Sequence, residues 1–125
     1  MMKTLSGAIL VADDDADIRD ILSDTLNSLG ARIVTAVDGQ DCLDRVEADA
    51  PDVLLLDIEM PVKSGLQVLR DLRQRGSEMT IIMITAYVEK LTGGNSPVAH
   101  VNELVGKPFR LEEIKLAMAR VLDTV

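Results

Sequence analysis

Five polar side chains that each follow a short apolar run are the residues of this sequence most able to do chemistry. An Asp after a strand is commonly only a turn residue or a helix cap, and a Thr or Lys in a loop is commonly only solvated. If several of them met at one place, they would instead form a reactive site. The five residues are Asp13, Asp14, Asp57, Thr85 and Lys107.

Clustered carboxylates of this kind would need a cation. Two ionised carboxylates about 4 Å apart repel by roughly 4 kcal/mol at an effective dielectric near 20. A Mg²⁺ ion removes that cost, since it takes one or two protein carboxylates and keeps waters and phosphate oxygens in its shell. With Mg²⁺ on one side and Lys107 on the other, a carboxylate could attack a phosphoryl group and form an aspartyl phosphate, and Thr85 would hydrogen-bond a phosphoryl oxygen. We therefore predict a Mg²⁺ and phosphoryl site.

The apolar runs predict the elements that position these side chains. They lie at 8–12, 31–36, 53–56, 81–84 and 104–105, and such runs are typical of strands covered on both faces of a parallel sheet. Segments with helical spacing lie between them. This alternation predicts a doubly wound, five-stranded parallel α/β sheet. Because ligands of such sheets bind at the carboxyl ends of the strands, the five residues are expected at one edge.

The predicted helices have recognisable ends. Gly30 lies just past the first helix, Asp38 can cap the second, and the third closes near Gly76. The first helix is marked by apolar spacing at Ile18, Ile21, Leu22, Thr25, Leu26 and Leu29. The last helix is marked by Leu111, Ile114, Met118, Val121 and Leu122.

The segment 88–100 does not follow this pattern. The alternation requires a fourth helix there, but residues 92–97 are Thr-Gly-Gly-Asn-Ser-Pro. Two glycines, two turn formers and a proline disfavour a helix. We expect a degenerate fourth helix, with a loop or single turns in its place.

Composition argues against several classes of function. The 125 residues carry a net charge of −8 and only 2% aromatic residues, which argues against direct binding of nucleic acid. The apolar run at 8–12 is far too short to span a bilayer. The lone Cys42 cannot form a disulfide within the chain, which fits a cytoplasmic location, and a packing role for it is favoured over a redox role.

The residues around the five side chains resemble a known family, the CheY-like receiver domains of two-component response regulators. The matching stretches are 9–15, 51–61, 83–87 and 107–109, in the order and at the spacings that the family uses. The resemblance covers essentially the whole chain. It implies a flavodoxin-like fold and a phosphorylation-dependent switch.

The resemblance also implies a role for each matching residue. Asp57 corresponds to the phosphoacceptor, which takes a phosphoryl group from a sensor histidine kinase or a phosphotransfer protein. Asp14 corresponds to a direct Mg²⁺ ligand, and Asp13 to a residue that acts largely through metal-bound water. The backbone carbonyl of Glu59 corresponds to a further metal ligand.

Residues on the later strands match as well. Thr85 corresponds to the switch hydroxyl and Lys107 to the lysine that contacts the phosphoryl group. Ala86 corresponds to a small residue that leaves this group accessible. The bond between Lys107 and Pro108 is often cis in the family.

Three features depart from the family pattern. Leu104 stands where the family commonly has an aromatic side chain that swings inward with the switch hydroxyl. The segment 93–97 falls on the fourth helix, which forms much of the family's output surface. Glu59 and Tyr87 occupy two variable positions beside the acceptor, and we hypothesise that the Glu59 carboxylate alters the lifetime of the phosphorylated form.

We therefore expect one receiver domain over residues 1–125 without an output domain, acting as a monomer or weak homodimer away from membranes. It would not be an enzyme beyond its own phosphorylation and autodephosphorylation. The main alternative is a receiver-like scaffold that binds a partner without a phosphorylation switch. A metal-dependent phosphatase would have Asp at position 59, and a dinucleotide-binding module would have a glycine-rich loop after the first strand instead of acidic residues.

Overall fold

The computed structural model describes residues 7–28, 30–86 and 100–122. The strands are β1 (Ala8–Ala12), β2 (Arg32–Ala36), β3 (Val53–Asp57), β4 (Thr80–Thr85) and β5 (Glu103–Gly106). The helices are α1 (Ala16–Asn27), α2 (Gly39–Asp49), α3 (Gly65–Gln74) and α4, the C-terminal helix (Leu111–Leu122). From β1 to β4, strands and helices alternate in the described residues, as the apolar runs predicted.

The five strands form one parallel sheet in the order β2-β1-β3-β4-β5. The order reverses between β1 and β3, which is the arrangement of a doubly wound, flavodoxin-like fold. The predicted fold class is confirmed. All strands end at the same edge of the sheet, so residues that follow different strands are brought together there.

Two apolar layers cover the two faces of the sheet. Successive residues of β1 point to opposite faces: Ile9 packs with residues of α1 and α4, whereas Leu10 packs with residues of α2 and α3. All five residues of β1 and of β3 are buried. The buried central strands explain why these runs contain almost no polar residue before the strand end.

The edge strand β2 differs from the expectation of strands covered on both faces. Arg32 and Thr35 are exposed, and only Ala36 is fully buried. An edge strand pairs on one side only and is covered less completely by helices. The polar residues within the run at 31–36 agree with this position.

The helix starts are set by side chains that accept hydrogen bonds from backbone N–H groups. Asp38 caps α2 as predicted, by accepting from the N–H of Asp41. Asp15 caps α1, and Ser64 caps α3 in a reciprocal pair with Gln67. The first helix ends at Asn27, so the predicted position of Leu29 on its stripe lies outside the described residues.

The degenerate helix predicted at 88–100, between β4 and β5, also lies outside the described residues, except for its last position, His100. It stays a prediction. None of the helices in the described part of the chain is long and apolar enough to cross a membrane.

Candidate functional site

The ends of four parallel strands bring the predicted site residues to one edge of the sheet. Asp13 follows β1, Asp57 is the last residue of β3, Thr85 is the last of β4, and Lys107 follows β5. The register places Asp57 opposite Ile84 and Thr85 opposite Gly106. The register therefore brings the ends of these strands to one edge, as the fold predicts.

Three carboxylates form an acidic cluster at this edge. Asp13, Asp14 and Asp57 each offer an oxygen, and these three oxygens lie within 4.8 Å of one another. Asp13 and Asp57 are only 2% and 5% exposed, whereas Asp14 is exposed. Carboxylate oxygens at this spacing, one of them open to solvent, suit a hard divalent cation such as Mg²⁺.

Lys107 supplies the positive charge next to the cluster. Its Nζ lies 3.0 Å from Oδ2 of Asp13 and 3.3 Å from Oδ1 of Asp57. Burial lowers the pKa of Lys107, but the hydrogen bond to Asp13 and the charge of Asp57 outweigh it, so the pKa is raised overall. Lys107 is therefore a fixed cation at physiological pH.

Asp57 has an unusual protonation equilibrium. Its pKa is raised from 3.8 to about 6, first because the carboxyl is buried and second because the negative charge of Asp13 is close. Lys107 and the backbone N–H of Glu59 act in the opposite direction and keep the rise moderate. At physiological pH the carboxylate is mostly ionised, in an environment that disfavours its charge.

The cluster opens into a cavity of about 570 Å³. Its lining combines the acidic cluster and Lys107 with residues of the loop after β3 and with Ala86: Asp13, Asp14, Asp15, Asp57, Glu59, Met60, Pro61, Ala86 and Lys107. Glu59 and Ala86 are exposed. The cavity therefore connects Asp57 with solvent.

A family model described as the response regulator receiver domain matches residues 9–119. This chain belongs to that family.

Two curated relatives show how much of a response regulator the receiver domain represents. Response regulator MprA of Mycobacterium bovis is 37% identical over 121 residues, which is 94% of this chain and 51% of the relative. MprA of Mycobacterium avium is 38% identical over 117 residues, which is 91% of this chain and 50% of the relative. The chain thus spans about half the length of these relatives.

Solved structures agree with the fold. TrrA of Thermotoga maritima, in complex with Mg(2+)-BeF, superposes with a TM-score of 0.83 at 34% identity, covering 93% of this chain and 99% of that one. The receiver domain of NtrX from Brucella abortus gives a TM-score of 0.82 at 29% identity, with coverage of 94% and 99%. The acidic cluster of this receiver domain fits a Mg²⁺ site.

Two residues expected to act in the switch lie away from the cavity lining. Thr85 is only 1% exposed, and its backbone carbonyl accepts a hydrogen bond of 2.7 Å from the N–H of Lys107. Leu104 on β5 is half-buried and packs against the apolar layer that contains Met83. Their switch roles stay predictions.

Two further expectations from the resemblance concern neighbouring residues. The bond between Lys107 and Pro108 is cis, as the resemblance implied. Tyr87 lies outside the described residues.

Two residues that shape this receiver domain's site, Gly65 and Arg19, were not predicted from the sequence. Gly65 begins α3, and a Cβ atom there would collide with the carbonyl oxygen of Asp57, so only glycine lets the helix approach the acceptor strand. Arg19 on α1 donates a hydrogen bond of 2.8 Å to the carbonyl oxygen of Asp13. A glycine at a helix start is a detectable signal, whereas the reach of an arginine to a carbonyl is not.

Proposed function

We propose that this receiver domain accepts a phosphoryl group on Asp57 from a sensor histidine kinase or a phosphotransfer protein. The observation that carries the proposal is the pairing of Asp57 with Lys107, 3.3 Å apart, beside two further carboxylates and at an open cavity. Receiver domains interact with such donors.

The transfer step follows from the charges of the site. An oxygen of Asp57 forms a bond to phosphorus while the bond between phosphorus and the donor's histidine nitrogen breaks, and that nitrogen keeps the electron pair. Lys107 then exchanges part of its contact with the Asp57 carboxylate for a contact with a phosphoryl oxygen. Asp13 holds Lys107 in place through the bond of 3.0 Å.

A divalent cation completes the site. Asp14, Asp57 and the backbone carbonyl of Glu59 are the residues that would hold Mg²⁺. When bound, it neutralises the acidic cluster and the charge of the phosphoryl oxygens. The exposed position of Asp14 supports a direct ligand role, because its carboxylate can meet a hydrated ion without further burial.

The response to phosphorylation would use Thr85 and Leu104. Thr85 would hydrogen-bond a phosphoryl oxygen, and its movement would be transmitted to neighbouring residues of β4 and β5. Met83 of β4 lies opposite Leu104 of β5 in the register. Since a leucine has no hydroxyl and a smaller face than an aromatic ring, the rearrangement at this position would be smaller than the one common in the family.

An apolar groove beside the cavity is a suitable docking position for the donor protein. It has a volume of about 450 Å³ and is lined by Ile18, Ile21, Lys107, Pro108, Phe109 and Leu111. Lys107 belongs to both the groove and the cavity. A protein seated in this groove would therefore be next to Asp57.

A phosphodonor assay tests the proposed function. The chain is incubated with acetyl phosphate and Mg²⁺, and its intact mass is measured. One added phosphoryl group that is absent from Asp57→Asn supports the proposal. No adduct, with Mg²⁺ binding intact, contradicts it.

The second candidate is a scaffold that binds its partner without a phosphorylation switch, and Leu104 is the observation that favours it. The same assay separates the two. Absence of an adduct supports the scaffold, and so does an adduct that leaves the amide spectrum of β4 and β5 unchanged.

A further inference from the structure

A hydrogen bond outside the cavity ties helix α1 to the acidic pair. Nη1 of Arg19 donates to the backbone carbonyl oxygen of Asp13 at 2.8 Å. This carbonyl belongs to the peptide group that joins Asp13 to Asp14. Arg19 is half-buried and does not line the cavity. The bond therefore fixes the backbone between the two acidic residues without occupying the site.

The local chemistry of α1 does not explain an arginine at this position. Arg19 is in the first turn of the helix, where a positive charge interacts unfavourably with the helix dipole. Several Asp residues lie close to it in sequence, yet Arg19 forms no ion pair with any carboxylate among the described residues. Among the described residues, its side chain instead bonds to the Asp13 carbonyl. We therefore infer that Arg19 acts through that carbonyl.

Asp13 itself is held firmly by other contacts. Its N–H donates to the carbonyl of Ala36 at 3.2 Å, its Oδ1 accepts from the N–H of Asp15 at 2.9 Å, and its Oδ2 accepts from Lys107 at 3.0 Å. The loss of Arg19 would leave these three bonds in place. The Asp13 carboxylate is thus insensitive to Arg19.

Asp14 is in the opposite situation. Its side chain is exposed and forms no hydrogen bond or ion pair with another residue in the described part of the chain. The position of its carboxylate depends on the peptide group before it. That peptide group is the one whose oxygen Arg19 holds.

We propose that Arg19 is a positioning residue for the metal site, acting through the peptide group between Asp13 and Asp14 to hold the Asp14 carboxylate beside Asp57. This inference rests on the proposed function. Residues that orient metal ligands without touching the metal commonly change metal affinity by one to two orders of magnitude.

The sign of the effect distinguishes positioning from charge. A positive charge near the site repels Mg²⁺, so if Arg19 acted by charge alone, its removal would tighten Mg²⁺ binding. If Arg19 positions Asp14, its removal weakens binding. For Arg19→Met, which keeps an unbranched stem but has no donor, we expect Mg²⁺ affinity to fall about tenfold. Arg19→Lys keeps the charge and a donor with a slightly shorter reach, and we expect a smaller loss.

The test is a calorimetric titration of the full chain with MgCl₂. Arg70→Met is the matched control, because Arg70 is exposed on α3 and forms no hydrogen bond or ion pair with another described residue. A urea titration in EDTA gives the stability of each variant. The proposal is supported if Arg19→Met weakens Mg²⁺ binding, Arg19→Lys restores part of it, and Arg70→Met has no effect.

The opposing results are equally clear. Unchanged or tighter binding by Arg19→Met, or an Arg19→Lys variant as weak as Arg19→Met, overturns the proposal. If Arg19→Met lowers the Mg²⁺ affinity and the stability in EDTA by the same free energy, amide NMR spectra decide between the two explanations. Shifts of amide signals confined to residues 13–15 support positioning. Shifts throughout α1 overturn the proposal. Failure of the proposed metal site itself is seen separately, as absence of Mg²⁺ binding by the unsubstituted chain.

Discussion

The ammonium group of Lys107 lies 3.3 Å from the carboxylate of Asp57, although β4 separates their strands in the sheet. The same ammonium group lies 3.0 Å from Asp13. One cation thus serves two buried carboxylates, and it cannot neutralise both. Burial of the carboxyl, together with the negative charge that the site keeps on Asp13, therefore holds the pKa of Asp57 above its ordinary value despite its lysine partner.

The raised pKa of Asp57 predicts that Asp57→Asn stabilises the metal-free protein above neutral pH. The folded-state pKa of Asp57 is about 6, above its ordinary value of 3.8, so protonation favours the folded state. The stabilising contribution is fully present below the ordinary value and is lost as the pH rises through the folded one. At about 1.4 kcal/mol per pKa unit, we expect Asp57→Asn to gain about 3 kcal/mol near pH 8 and far less near pH 4.

Urea unfolding in EDTA at the two pH values measures this difference. Asp24→Asn is the control, since Asp24 is exposed on α1 and forms no ion pair or hydrogen bond with another described residue. Mg²⁺ should reduce the gain in stability of Asp57→Asn, because the ion neutralises the Asp57 charge that the substitution removes. Equal stability of the variant and the parent near pH 8 would contradict the explanation.

The backbone of Val62 is strained. Its φ is 70°, in the left-handed region that β-branched residues rarely adopt, and the N–H of Lys63 donates to the carbonyl of Pro61 at 2.8 Å around it. The side chain is 74% exposed, so packing does not offset the strain. We expect Val62→Asn to raise the free energy of unfolding by about 1 kcal/mol, because Asn tolerates this conformation.

Val37→Asn is the control for this prediction. Val37 is 48% exposed but has no positive φ, so its replacement should bring no gain. Chemical unfolding of the two variants under one set of conditions gives the comparison. A gain shared by both would point to the loss of exposed apolar surface instead of relief of strain.

Cys42 should be inert in the folded protein. Burial raises the pKa of its thiol to about 12, with smaller contributions from the charges of Asp41 and Asp38. Since only the thiolate reacts with iodoacetamide, we expect no alkylation near pH 8 until the chain unfolds. The thiol's contribution to stability is present below its ordinary pKa of 9.0 and is lost as the pH rises through about 12.

Mass spectrometry after timed exposure to iodoacetamide, with and without urea, tests this expectation. The unfolded chain is the internal control, because it must be alkylated at the rate of an ordinary thiol. Rapid alkylation of the folded chain near pH 8 would restore the redox role that the sequence left open.

The parts of this structure that were predictable are those determined by burial and local capping. The runs of β1, β3 and β4 are apolar because helices cover both faces of these strands, and Asp38 caps α2 with its own neighbours. The edge position of β2, the reach of Arg19 and the left-handed backbone of Val62 depend on residues far away in sequence or on the path of a loop. No local pattern encodes such features.

Because of the apolar groove beside the cavity, we expect phosphoryl transfer from a donor protein and from a small donor to respond differently to a substitution in the groove. Ile21 is 45% exposed and lines this groove. We expect Ile21→Ser to slow transfer from a phosphorylated donor protein about tenfold, because truncation of one of the few side chains that anchor an interface costs more than about 1 kcal/mol of binding. Phosphorylation by acetyl phosphate should not change, since that donor needs only the cavity.

Leu116→Ser is the control for Ile21→Ser. Leu116 is 55% exposed on α4 and does not line this groove. The two variants should differ with the protein donor and agree with acetyl phosphate. Equal rates for both variants with the protein donor would place the docking surface elsewhere.

The carboxylate of Glu59 is expected to shorten the lifetime of the phosphorylated form. Glu59 is exposed and lines the cavity that opens onto Asp57. A carboxylate at this place can accept a hydrogen bond from the water that attacks phosphorus and so speed hydrolysis. We expect Glu59→Ala to slow dephosphorylation roughly tenfold, at the weak end of general-base effects because the side chain is solvated, and Glu59→Gln to lie between. Loss of the phosphoryl group is followed by intact mass after the donor is removed, and equal rates for Glu59→Ala and the parent would refute the role.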